Sequence, residues 1–187
     1  RLALLGFEDR LLGYQNAELS VLDLDGGEPH SLTAALDRSI EDAAWAPDGR
    51  GLYFSYEDRG EMKLARVGLD GKRTAVAGNL GSGSLDRPYV GGSFSVADDG
   101  SVAHTTGSAV RLHDVALTDR KRGTRQLTRL NDGLFAGRKL AETRALAVTS
   151  SFDGRPIGAW LTTPPDFDPT RKYPLILEIH GGPFAAY

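Results

Sequence analysis

Three observations predict a mainly β fold, a partial β-propeller of about two and a half blades followed by the first strands of an α/β unit. Over the first two thirds, short apolar runs alternate with a period of two, the pattern of half-buried strands. Glycine makes up 23 of 187 residues, against a usual level of roughly 7%, and much of it sits in Asp-Gly and Gly-Gly pairs that set tight hairpins. A strand-turn-strand unit also recurs. Leu24, Leu69 and Leu117 each close a strand before a turn, 45 and 48 residues apart, and such a period with several short strands per unit fits propeller blades.

The elements follow in order. Leu2–Phe7, Leu19–Leu24, Gly51–Tyr56, Met62–Leu69, Ser101–Thr105 and Ala109–Val115 read as strands. Gly26-Gly27, Asp48-Gly49, Asp70-Gly71 and Asp99-Gly100 supply the turns between them. Ala43–Gly49 (AAWAPDG) aligns with Phe94–Gly100 (FSVADDG). In the W-x-P-D-G turn, Trp45 ends an inner strand and packs between blades, Pro47 presets φ, and Asp48-Gly49 closes the hairpin. A complete propeller takes 4–8 blades, so residues 1–128 read as part of one. Residues 129–139 read as a linker, with one helical turn in Asn131–Gly137.

Residues 140–187 read as the start of a second domain. Ala145–Thr149 and Pro156–Leu161 form a hairpin around Asp153-Gly154. Thr163–Pro169 is a proline-rich loop that cannot extend a ladder. Tyr173–Ile179 is a nearly continuous apolar run, expected as a strand buried on both faces.

Composition bounds the function. An apolar fraction of 40% with 25% charge suits a globular chain and argues against disorder. The absence of cysteine excludes disulfides and thiolate metal sites and fits a cytoplasmic protein. With Arg1 rather than Met at the start, the natural N-terminus is expected upstream, which leaves periplasmic or secreted destinations open. A net charge of −3 gives no global case for nucleic acid, and no apolar run approaches the roughly 20 residues of a membrane span. Nine basic and four acidic side chains in residues 111–144 form a local basic strip. It has no interleaved aromatics to stack bases, so it reads as a solvated linker face. No His/Asp/Glu spacing suggests a metal and no glycine-rich loop suggests a phosphate cofactor, so neither is expected. His30, His104 and His113 read as surface or turn residues. Exposed blade edges favour homo-oligomerisation.

The chemistry sits at the end of the last strand, in His180-Gly181-Gly182-Pro183. Two glycines let backbone N–H groups face a cavity, as acyl transfer requires for its developing oxyanion. An HGG sequence after an early strand marks this donor in α/β-hydrolases. Here the chain resembles the prolyl oligopeptidase family of serine peptidases, in its acylaminoacyl-peptidase-like and dipeptidyl-peptidase-like branch. The resemblance is carried by Ser150–Leu161 (SFDGRPIGAWL after Ser150) and Lys172–Pro183 (KYPLILEIHGGP). Arg125–Thr128 followed by Leu130-Asn131, and Trp45–Gly49, add to it.

The resemblance implies a β-propeller capping an α/β-hydrolase domain that hydrolyses short peptides or acylated peptide N-termini through an acyl-enzyme. It implies that Gly182 gives a backbone N–H to the oxyanion hole, that Gly181 permits the close approach, and that His180 holds the loop in shape. The nucleophile motif G-x-S-x-G is missing; Ser93 comes nearest, with Gly91 before it but Ser95 after. The triad is therefore not in this sequence, which reads as an interior part of a longer enzyme and is expected to be inactive alone. A non-catalytic binding propeller and a propeller-fused esterase are the alternative readings.

Overall fold

The computed structural model describes residues 1–81 and 89–181. Its strands form four antiparallel sheets, each a simple meander. The first sheet holds β1 (Leu2–Gly6), β2 (Glu18–Leu22) and β3 (His30–Ser31). The second is four-stranded, with β4 (Ile40–Trp45), β5 (Gly51–Asp58), β6 (Glu61–Gly68) and β7 (Arg73–Ala77) in that spatial order. The third repeats this arrangement with β8 (Phe94–Val96), β9 (Val102–Ser108), β10 (Arg111–Asp119) and β11 (Gly123–Gln126). One helical turn, α1 (Asp132–Phe135), precedes a two-stranded hairpin of β12 (Glu142–Thr149) and β13 (Pro156–Thr163). Successive four-stranded antiparallel sheets are the layout of propeller blades.

Local chemistry sets the turns. In the β4–β5 turn, the Gly49 N–H donates to Ala46 O at 2.9 Å and the Arg50 N–H to Asp48 Oδ1 at 3.0 Å. The β8–β9 turn repeats both bonds at Gly100→Ala97 and Ser101→Asp99, and the β6–β7 turn repeats them at Gly71→Gly68 and Lys72→Asp70. In each case the aspartate accepts from the backbone two residues on, and the next residue is a glycine at φ 64°, 79° or 77°, which a side chain would strain. The recurring sequence unit is thus a recurring hydrogen-bond unit.

Burial explains why the second sheet has apolar residues on both faces. Leu52, Phe54, Ala65 and Val67 join Leu19, Val21, Leu32 and Ile40 in one core, with Trp45 packed at its side. The opposite face sends Tyr53, Met62 and Leu64 into a second core with Ala46, Leu80 and Val102. Period-two alternation therefore feeds two cores from one sheet, and Gly51–Ser55 are all buried. The Tyr53 hydroxyl donates to Gly100 O at 3.1 Å, pinning the second sheet to the third.

Two expectations are corrected. Residues 174–181 form no strand, and Leu175, Ile176, Leu177 and Ile179 are 78–91% exposed. A strand buried on both faces needs hydrogen-bonding neighbours and a covering layer, and no described residue flanks this run. Among the described residues no strands pair in parallel, so no α/β-hydrolase portion is evident. His104 is not a surface residue: it is 3% exposed. It shares the inward face of β9 with Val102, and its ring nitrogens meet Thr105 O at 2.8 Å and Thr118 Oγ1 at 2.9 Å. His30 is exposed and His113 half-buried.

Candidate functional site

The segment leading to the His-Gly-Gly-Pro motif is built by two polar loops. In the β12–β13 turn, the Ser150 N–H donates to Arg155 O at 2.8 Å and the Gly154 N–H to Ser150 O at 3.0 Å. The Ser150 hydroxyl holds the Asp153 carboxyl below the usual carboxylate range, helped by the Arg155 N–H. Gly154 takes φ 73°, so the S-x-x-D-G spacing closes this turn. After β13, Asp168 Oδ1 accepts from the Thr170 N–H at 2.9 Å and the Thr170 hydroxyl at 2.7 Å. The Asp168 N–H donates to the Tyr173 hydroxyl at 3.0 Å, and the Phe167 and Tyr173 rings lie 5.1 Å apart. This compact loop delivers the chain to Pro174.

Of the predicted site residues, His180 and Gly181 are exposed. His180 Nδ1 lies 2.9 Å from Gly181 O, a contact along the loop itself. Space beside Gly181 is open: a Cβ there would meet nothing within 4 Å. Gly182 lies outside the described residues. Among the described residues no cluster of three His, Cys, Asp or Glu side chains is poised for a metal ion.

The hairpin's position relative to the blades is marked by one contact. Trp160 on β13 lies against Gly60 in the β5–β6 turn; a Cβ on Gly60 would sit 2.9 Å from Trp160 Cζ2. Arg59 and Gly60 take φ 56° and 76°, a pairing that matches tight hairpin turns. The Gly60 N–H donates to Glu57 Oε1 at 2.9 Å. Beside the turn, Asp58 accepts from Lys63 Nζ at 2.6 Å and Arg38 Nε at 2.9 Å. The Lys63 bond, with Arg38 behind it, holds the Asp58 carboxyl low.

A second junction, missed by the sequence reading, fixes the exit from the third sheet. Asp114 on β10 is 5% exposed. Its Oδ1 accepts from the Leu130 N–H and the Thr128 hydroxyl, both at 2.8 Å, and its Oδ2 from Gln126 Nε2 at 2.9 Å. The Asn131 amide donates to His113 O at 3.1 Å. The Leu130 N–H, then the Thr128 hydroxyl, hold the Asp114 carboxyl below its ordinary range. Asp132 then pairs with Arg111 at 2.6 Å, so part of the basic strip is neutralised locally. The available signal for Asp114 was its spacing of two from Ala116, an apolar residue of the same strand.

No family model matches the chain. It is similar to dipeptidyl-peptidase 5 of Porphyromonas gingivalis, 30% identical over 176 residues that cover 91% of this chain and 24% of that protein. It is also similar to the uncharacterized peptidase YuxL of Bacillus subtilis, 27% identical over 197 residues, 93% of this chain and 28% of that one. Among solved structures, an acylaminoacyl peptidase in complex with Z-Gly-Gly-Phe-chloromethyl ketone superposes with a TM-score of 0.70 at 20% identity, covering 92% of this chain and 24% of that chain. The chain therefore spans about a quarter of the length of the relatives it matches.

Proposed function

This chain is related to peptidases of the prolyl oligopeptidase family, and we propose that it supplies the last blades of the propeller and the opening of the α/β-hydrolase domain of a serine peptidase. The observation that carries the reading is one continuous order along the chain: blades, the Ser150–Gly154 turn, then His180-Gly181-Gly182-Pro183.

In this reading the substrate is a short peptide or an acylated peptide N-terminus, and the reaction passes through an acyl-enzyme. The Gly182 N–H donates to the carbonyl oxygen as it gains charge in the tetrahedral transition state. A fixed donor of this kind is worth about 10²–10³ in kcat. Gly181 carries no side chain to block the approach, and His180 shapes the loop from within. The nucleophile, base and acid come from elsewhere, since no serine in these residues sits in G-x-S-x-G. The enzyme is cytoplasmic in this reading.

A fluorophosphonate probe tests the class. The full-length protein should label at one serine, with labelling lost on heat denaturation. A protein that does not label is a binding propeller and not a hydrolase.

A further inference from the structure

At the end of the second sheet away from Trp160, three turns enclose an open cavity of about 420 Å³. It is lined by Asp48 and Arg50 of the β4–β5 turn, by Arg66, Gly68, Leu69 and Asp70 at the β6–β7 turn, and by Arg120 of the β10–β11 turn. Since β5 runs eight residues from this cavity to the Gly60 turn, the two ends lie roughly 25 Å apart at the usual strand rise. The cavity is thus separate from the surface that meets the β12–β13 hairpin.

Its electrostatics are unbalanced. Three guanidinium groups face two carboxylates. One of these, Asp48, is occupied by Arg66, whose Nη2 donates to both its oxygens at 3.2 and 3.1 Å. Asp70 Oδ1 accepts from the Lys72 N–H. Among the described residues neither Arg50 nor Arg120 belongs to an ion pair, and both are exposed at the cavity. An anion bound there would offset the repulsion among the arginines.

We propose that this cavity binds a phosphate-type oxyanion, free or as a phosphomonoester, through Arg50, Arg66 and Arg120. Donors come from three separate turns, so the ligand must present oxygens in several directions. A tetrahedral oxyanion does this, whereas a carboxylate offers two oxygens in one plane. The site is independent of the peptidase reading and would stand if that reading failed.

The test is titration of the full chain with inorganic phosphate at constant ionic strength, with chloride as the control and acetate as the carboxylate arm. Saturable phosphate binding is expected. It should weaken at least about ten-fold in the Arg50→Ala/Arg120→Ala double variant, the loss of about one charge-assisted hydrogen bond. Both side chains are exposed and hold no other element in place, and circular dichroism checks that the fold is kept. O-phosphoserine binding as tightly as phosphate would extend the ligand to a monoester. The proposal is overturned by a non-saturating response, by acetate binding as well as phosphate, or by equal affinity in the double variant.

Discussion

Replacing Gly60 with alanine tests how the β12–β13 hairpin sits on the blades. Gly60 has φ 76°, and the left-handed region costs a residue with a Cβ about 1–2 kcal/mol. That cost is local and independent of Trp160. A second cost depends on it: the new methyl carbon would lie 2.9, 3.2 and 3.3 Å from Trp160 Cζ2, Nε1 and Cε2. The nearest of these is too close to persist, so the ring must move. Trp160 is 47% exposed. Displacing it forfeits up to about half the burial of a side chain that buries 150–250 Å² when covered, at most about 3 kcal/mol at ~25 cal/mol/Å². A double-mutant cycle separates the two costs. Urea denaturation of the parent, Gly60→Ala, Trp160→Ala and the double variant should give about 2–5 kcal/mol for the glycine change in the parent. In the Trp160→Ala background it should give only about 1–2 kcal/mol. The tryptophan emission of Gly60→Ala should also shift to the red. Equal costs in both backgrounds would refute the seating of the hairpin on the β5–β6 turn.

Two further outcomes follow from the cores and the exit junction. Phe54 is 0% exposed at the centre of the core between the first and second sheets, so Phe54→Ala should cost about 3–5 kcal/mol in the same denaturation assay; a loss below 1 kcal/mol would mean those sheets do not pack as described. Asp114→Asn should lower the urea midpoint at neutral pH, because all three partners of the carboxylate are donors. The folded carboxyl titrates below its ordinary value, so its contribution is complete above the unfolded value of about 3.9. It is lost as pH falls through the folded value. The gap between parent and variant should stay constant above pH ~5 and close under acid conditions; a gap indifferent to pH would contradict the junction.

The strands and turns of residues 1–128 were legible because their signals are local. An aspartate accepting from a residue two positions on, followed by a glycine, specifies a turn without outside help. The β12–β13 hairpin was legible for the same reason, though it runs longer at both ends than Ala145–Leu161. Tyr173–Ile179 failed because its apolar pattern states what the run would bury, while strand formation depends on neighbours the described residues do not supply. His104 was misread because its partner Thr118 lies on the next strand, beyond any local pattern, although its parity with Val102 pointed inward. Asp114 was missed because its partners arrive from residues 126–130 once the chain has folded back. The arginines of the phosphate cavity come from turns 16 to 70 residues apart in sequence, a proximity only the stacked sheets create.

The peptidase reading meets its most direct test in the hydrolysis of peptide p-nitroanilides against p-nitrophenyl esters by the full-length protein. The account predicts turnover of short or N-acylated peptide anilides, abolished by prior fluorophosphonate treatment. Brisk ester turnover with no cleavage of any peptide anilide would contradict it.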